Sequence, residues 1–366
     1  MRATRRAVRI MKVAIRLLEE NPELGPAVDR LRTLVYPDHP ESYDVEWHSS
    51  VWGWLETHPL GSAMRRWVAA TEDGDVVGHL AAVPQYYRIA GERVVAYTPT
   101  DYQALPGYGF HAFSLMRRFF RYAENCVSLD QVEEAMAVEM KLGAEPAGKL
   151  QYAAKALDVS RLPRLPKAAR PALWLPSRVL RAVDGALSHA FGGDLEVQEV
   201  ESFDESFDIL FEKVAAEVPC VPEKDAAFLR WRYGPGSPHE RVTVLGVRGA
   251  EGLLGYAVLR VTQEGDNGYL LDLTTLPGRR DAARALLREA VRRFQGTEAY
   301  IIRYRFNEAS TAPGLEDLRR MGFFFREGRR HTMLVKFGDR GLHKTANDAA
   351  NWSYSAGDGE MTFWVR

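Results

Sequence analysis

The residues best suited to chemistry lie in one stretch, Asp101 to Phe120, with the sequence DYQALPGYGFHAFSLMRRFF. The run 94–102 reads as a strand, Leu105-Pro106-Gly107-Tyr108-Gly109 as a turn, and Ala112, Leu115, Met116 and Phe119 recur at helical spacing. A glycine turn that opens a helix leaves backbone N–H groups outside the helix ladder, and the helix dipole adds partial positive charge there. The ligand group suited to such a turn is a phosphate, and the residues that would hold it are Leu105, Gly107, Tyr108, Gly109, Phe110 and His111. Glycine is needed because a Cβ would oppose both positive φ and close approach of the anion. His111, at the helix start, either donates to that anion or caps the helix.

The elements that must position this turn occur twice. Residues 272–291 match the first stretch without a gap at an offset of 171: Asp101 against Asp272, Leu105-Pro106-Gly107 against Leu276-Pro277-Gly278, Leu115-Met116 against Leu286-Leu287. Trp54 and Trp231, Gly78 and Gly255, and Gly143 and Gly322 follow at similar offsets, which indicates an internal duplication. Each copy reads as strand, two helices, three strands, helix, strand, helix, strand. The expected fold class is therefore α/β (α+β), two tandem domains, each a mostly antiparallel mixed sheet flanked by helices. The expected boundaries are a tail at 1–11, domains at 12–158 and 194–337, a Pro-rich basic linker with a short helix at 159–193, and a C-terminal tail at 338–366 that forms a hairpin.

A chain of 366 residues, 46% hydrophobic and 27% charged, suits two globular units. The net charge of −1 supplies no field for nucleic acid, and no apolar run is long enough for stable membrane insertion. Two cysteines without CxxC spacing suit a reducing, cytoplasmic setting, and the nine histidines form no metal-binding motif, so no metal is expected.

The hairpin meander, glycine turn and helix, followed by a strand and a helix ending in Lys141-Leu142-Gly143, resemble the GNAT superfamily of acyl-CoA N-acyltransferases. The resembling residues are Val76-Val77-Gly78, 101–115 and 141–148 in the first copy, and Leu253-Leu254-Gly255, 272–287 and Arg320-Met321-Gly322-Phe323 in the second. The resemblance implies acetyl-CoA or another acyl-CoA as co-substrate, its pyrophosphate on the turn, and a primary amine on a small molecule or sugar as acceptor. Acyl transfer then needs a base for the ammonium and an acid for the leaving thiolate. Asp101 is the candidate base and Tyr102 a candidate acid. The family loop Q/R-x-x-G-x-G/A is here Ala104-Leu105-Pro106-Gly107-Tyr108-Gly109, without the leading Gln or Arg. In the second copy it is Arg280-Asp281-Ala282-Ala283-Arg284-Ala285, whose Asp281 would repel a phosphate. The first copy is therefore the expected binding site. Where many members carry a general-acid tyrosine, this chain has Glu139 and Leu318. A non-catalytic module that keeps the fold, or an aminoacyl-tRNA-dependent transferase, are the alternative readings.

Overall fold

A computed structural model describes residues 12–129, 132–161, 195–329 and 331–365. The expected leading tail and nearly all of the Pro-rich linker, with its short helix, lie outside the described residues.

The first half places β1 (Val13–Leu17), β2 (Arg65–Thr71), β3 (Val76–Ile89) and β4 (Glu92–Ala104) as an antiparallel meander, with β5 (Cys126–Ser128) parallel to β4. Helices α1 (Gly25–Val35) and α2 (Val45–Glu56) separate β1 from β2, α3 (Gly109–Tyr122) joins β4 to β5, and α4 (Glu133–Lys141) follows. The strands β6 (Glu145–Lys149) and β7 (Gln151–Ala156) come next. The second half repeats the plan with β8 (Val197–Glu199), a short β9 (Cys220–Pro222), β10 (Thr243–Gly249), β11 (Gly252–Val261), β12 (Asn267–Thr275), β13 (Ile301–Phe306), β14 (Phe324–Phe325) and β15 (Thr332–Lys336).

The sheets are not each built from one half. The first runs β1-β2-β3-β4-β5-β15-β6 and the second β8-β10-β11-β12-β13-β7-β14. Strand β7, expected to finish the first sheet, pairs antiparallel with β13 from Ile301↔Ala156 to Phe306↔Gln151, and β15 pairs with β5 and β6 in the other sheet. The two orders are equivalent position by position, so the copies have swapped their last strands reciprocally. The duplicated tryptophans, on α2 and the helix Ala226–Tyr233, meet each other as well. Trp54 and Trp231 stack at 4.3 Å and 11°, and each indole N–H donates to the other's carbonyl, at 2.8 and 3.2 Å.

Helix α3 owes its position to its apolar stripe. Leu115, Met116 and Phe119 are fully buried against Trp67 and Leu80 of the sheet, each worth about 1.5–3 kcal/mol of transfer free energy. Gly78 lets the helix sit that close, since a Cβ there would lie 3.0 Å from Leu115 Cδ1. The C-terminal tail departs from the hairpin expected of it. It forms a helix at Arg340–Ala346 and a final helical turn at Met361–Trp364, and its strand-like pairing among the described residues is limited to isolated bridges, Cys220↔Trp352 and Phe306↔Ser355.

Candidate functional site

Strands β4 and β5 pair only at Tyr97↔Cys126, and β4 runs on to Ala104 with no partner on that side, leaving a splayed gap that ends at the glycine turn. Leu105 N–H donates to Val77 O and Tyr108 N–H to Leu105 O, which closes the turn with Gly107 at φ +91°. The N–H groups of His111 and Ala112 both donate to Tyr108 O. Among the described residues no acceptor takes the amides of Gly107, Gly109 or Phe110. A Cβ built on either glycine would meet nothing within 4 Å, and Phe110 is 76% exposed. Of the six expected binding residues, Gly107, Gly109 and Phe110 thus leave their amides open at a helix N-terminus, while the N–H groups of Leu105, Tyr108 and His111 are engaged within the turn and its strand.

The second copy of the turn is closed. Gly278 N–H donates to Ser310 O, Thr275 N–H to Thr311 O and Leu276 N–H to Leu254 O. The Arg280 guanidinium lies on Asp317 at 2.6 and 3.0 Å, and Arg279 pairs with Asp281 and Glu251. Protein acceptors already take the amides of Gly278 and Arg280 in this loop.

Asp101 sits on a bulge. Gln103 faces His79 and Thr100 faces Ala81, so Asp101 and Tyr102 share the space opposite one residue, and Asp101 takes φ +53°. Its carboxylate accepts from Arg32 at 2.7 Å, from Gln103 at 2.9 Å and lies 3.1 Å from His79 Nδ1. Burial alone would raise its pKa, but the charge of Arg32 and the His79 contact bring it down to about 2. A carboxylate so held has little proton affinity. That argues against the base role expected of Asp101 and assigns it the work of anchoring Arg32 and shaping the bulge. The amide this bulge frees from the ladder is taken as well: Asp101 N–H donates to Glu360 Oε1 at 2.8 Å.

Tyr102 is half-buried against the core beneath α3, its phenol pushed up to about 12 by burial and by the charge of Glu139. Glu139, on α4, is wholly buried, accepts from Ser128 Oγ at 3.2 Å, and is raised by burial to about 8. Below that pH it is a neutral acid. Its counterpart Leu318 is buried and apolar.

The tail supplies residues that sequence reasoning missed. Asp272 stands where Asp101 stands, and is met by Lys224 Nζ at 3.1 Å, Tyr256 OH at 2.8 Å and Ser355 Oγ at 3.2 Å, while Asp358 also takes Lys224 at 3.1 Å. Ser355, Asp358 and Glu360 thus reach both aspartates from one short run, and Trp364 then packs on His48 and Trp52. Their local sequence carries no motif, and the charges of the two aspartates are met instead by Arg32 and Lys224. No group of three His, Cys, Asp or Glu side chains among the described residues is arranged to hold a metal ion, and no helix there is long and apolar enough to cross a membrane.

No known sequence family and no curated protein matches the chain. Solved structures do. A GCN5-related N-acetyltransferase from Anabaena variabilis aligns over 89% of this chain and 73% of its own at 13% identity and TM-score 0.54. N-myristoyltransferase of Saccharomyces cerevisiae with bound myristoyl-CoA aligns over 92% and 84% at 12% identity and TM-score 0.55. A tandem GNAT protein from the clavulanic acid biosynthesis pathway aligns over 90% and 99% at 14% identity and TM-score 0.52. At such identities the likeness is one of architecture, and the chain carries the GCN5-related N-acetyltransferase fold twice, the two copies joined by an exchange of strands.

Proposed function

We propose that the protein is an acyl-CoA N-acyltransferase that binds acyl-CoA on the first-half turn, residues 105–111, and passes an acetyl or other short acyl group to a primary amine on a small molecule or sugar. The observation that carries this reading is the set of unengaged amides at Gly107, Gly109 and Phe110, at the mouth of the gap between β4 and β5. Diphosphate suits those donors, and the gap is the path along which a thioester arm would reach Tyr102. The neutral amine attacks the thioester carbonyl, the C–N bond forms as the C–S bond breaks, the nitrogen gives up a proton to solvent, and the departing thiolate takes one. Tyr102 and Glu139 are the groups on this path for that last step. Glu139 is protonated at neutral pH, whereas Tyr102 is a much weaker acid. Asp101 keeps Arg32 in place without itself carrying protons.

A second reading, acyl-CoA binding without turnover, is favoured by one contact: the bulge amide of Asp101, a donor beside the reacting carbonyl, is held by Glu360. Calorimetric titration with acetyl-CoA followed by release of free thiol with an amine panel tests both. Binding that falls at least about a hundredfold in Gly109→Asp, some 2.8 kcal/mol, together with amine-dependent thiol release, is the expected result. Binding without release leaves the second reading, and absence of saturable binding removes both.

A further inference from the structure

Away from the glycine turn, residues of both halves line a common groove. A cavity of about 250 Å³ there is lined by Trp47 of α2 and, from the second half, by Ser237, Glu240, Arg241, Arg260 and Gln263. Arg260, near the end of β11, is only 6% exposed. Its Nη1 lies 2.6 Å from Nδ1 of His239, a ring that is itself buried and must accept this bond in its neutral form. Its Nε finds no partner, and among the described residues no carboxylate pairs with Arg260 or Arg241.

Arg232, also buried, likewise has no carboxylate partner among the described residues and donates to Thr362 Oγ1, but two other buried cations are neutralised. Arg32 has Asp29 and Asp101, and Lys224 has Asp272 and Asp358. Around Arg260 the nearest formal charges are of its own sign. Burial first, then Arg232 and Arg241, lower its pKa to about 10, and burial followed by Arg232 and Arg260 drives His239 to about 2. A buried guanidinium without a counter-charge is expensive to keep, and an oxyanion entering the cavity would supply that charge together with charge-assisted hydrogen bonds. Glu240 also lines the cavity, where its carboxylate accepts from Gly236 N–H and forms no ion pair with either arginine. Trp47, edge-on to His239 at 5.9 Å, offers a flat apolar wall beside the charge.

We propose that this groove binds a small-molecule oxyanion, a carboxylate or a phosphate, on Arg260 at the floor and Arg241 at the rim, with the apolar part of the ligand against Trp47. The site does not depend on the acyltransferase reading, since it shares no residue with the glycine turn.

Calorimetric titration of the full chain at constant ionic strength, with inorganic phosphate in one arm and benzoate in the other, tests it. Saturable binding in at least one arm is expected, and the arm that binds names the group. Arg260→Gln should weaken it about tenfold or more, the loss of a charged hydrogen bond. Arg241→Gln, exposed at the rim and harmless to folding, should weaken it severalfold, and Gly109→Asp should leave it unchanged. Saturation by neither anion, equal affinity in both arginine variants, or loss of binding in Gly109→Asp would overturn the site.

Discussion

The two glycine turns began as one sequence and now do opposite things. In the first, the amides of Gly107, Gly109 and Phe110 point into open space. In the second, Ser310 and Thr311 have closed over the turn, and Arg279 and Arg280 are spent on Asp281, Glu251 and Asp317. The aspartates that precede the turns differ in the same sense. Asp101 keeps Arg32 at a bulge that borders the gap, whereas Asp272 is sealed beneath Lys224, Tyr256 and the tail. A duplicated fold needs only one working site, and the other copy is free to trade its donors for internal bonds that hold the pair together.

The largest test of that contrast removes the seal. Lys224→Met leaves Asp272 and Asp358 buried together without a cation, and should cost about 3–5 kcal/mol in urea unfolding. A loss under about 1 kcal/mol would mean the second half is not held by its buried charges. A smaller test concerns the acid beside the open turn. Glu139 has a folded pKa near 8 against an ordinary 4.5, so the stability tied to its neutral form is complete below 4.5 and is lost as pH rises to about 8. Glu139→Gln should therefore gain on the parent across that window by at least about 1 kcal/mol, and a pH-independent difference would contradict the buried acid. The smallest effect belongs to the closed turn. Arg279→Ala removes exposed ion pairs only, so unfolding should move by less than about 0.5 kcal/mol with acetyl-CoA affinity unchanged. Weakened binding there would show that the second turn takes part.

Much of this was legible beforehand, for reasons that are local. The stripe of Leu115, Met116 and Phe119 declares α3, and the turn of Gly107 and Gly109 declares its open end. The duplication was legible too, because Trp54 and Trp231 keep their spacing, and in the fold they stack on each other. The strand exchange was not. The residues of β7 and β15 look the same whichever sheet receives them, since alternation reports that a strand is half-buried and says nothing of its neighbour. The tail misled for a related reason. Trp352 and Trp364 suggest strands by composition, but their burial comes from surfaces elsewhere in the chain, as with Trp364 on Trp52. Glu360 and Arg260 carry no motif, and their meaning lies wholly in what surrounds them. Asp101 stood out by its place before the turn; its partners Arg32 and His79, which lower its pKa, come from elsewhere in the chain.

The exchanged strands also bear on how the chain is made. The first sheet lacks the strand between β5 and β6 until residues 332–336 arrive, after nearly all of the second half has been made. The nascent first half must wait on the ribosome with an open edge, a condition that invites pairing with other chains. Splitting the gene between the copies should accordingly yield two fragments that are insoluble alone and recover only when co-expressed.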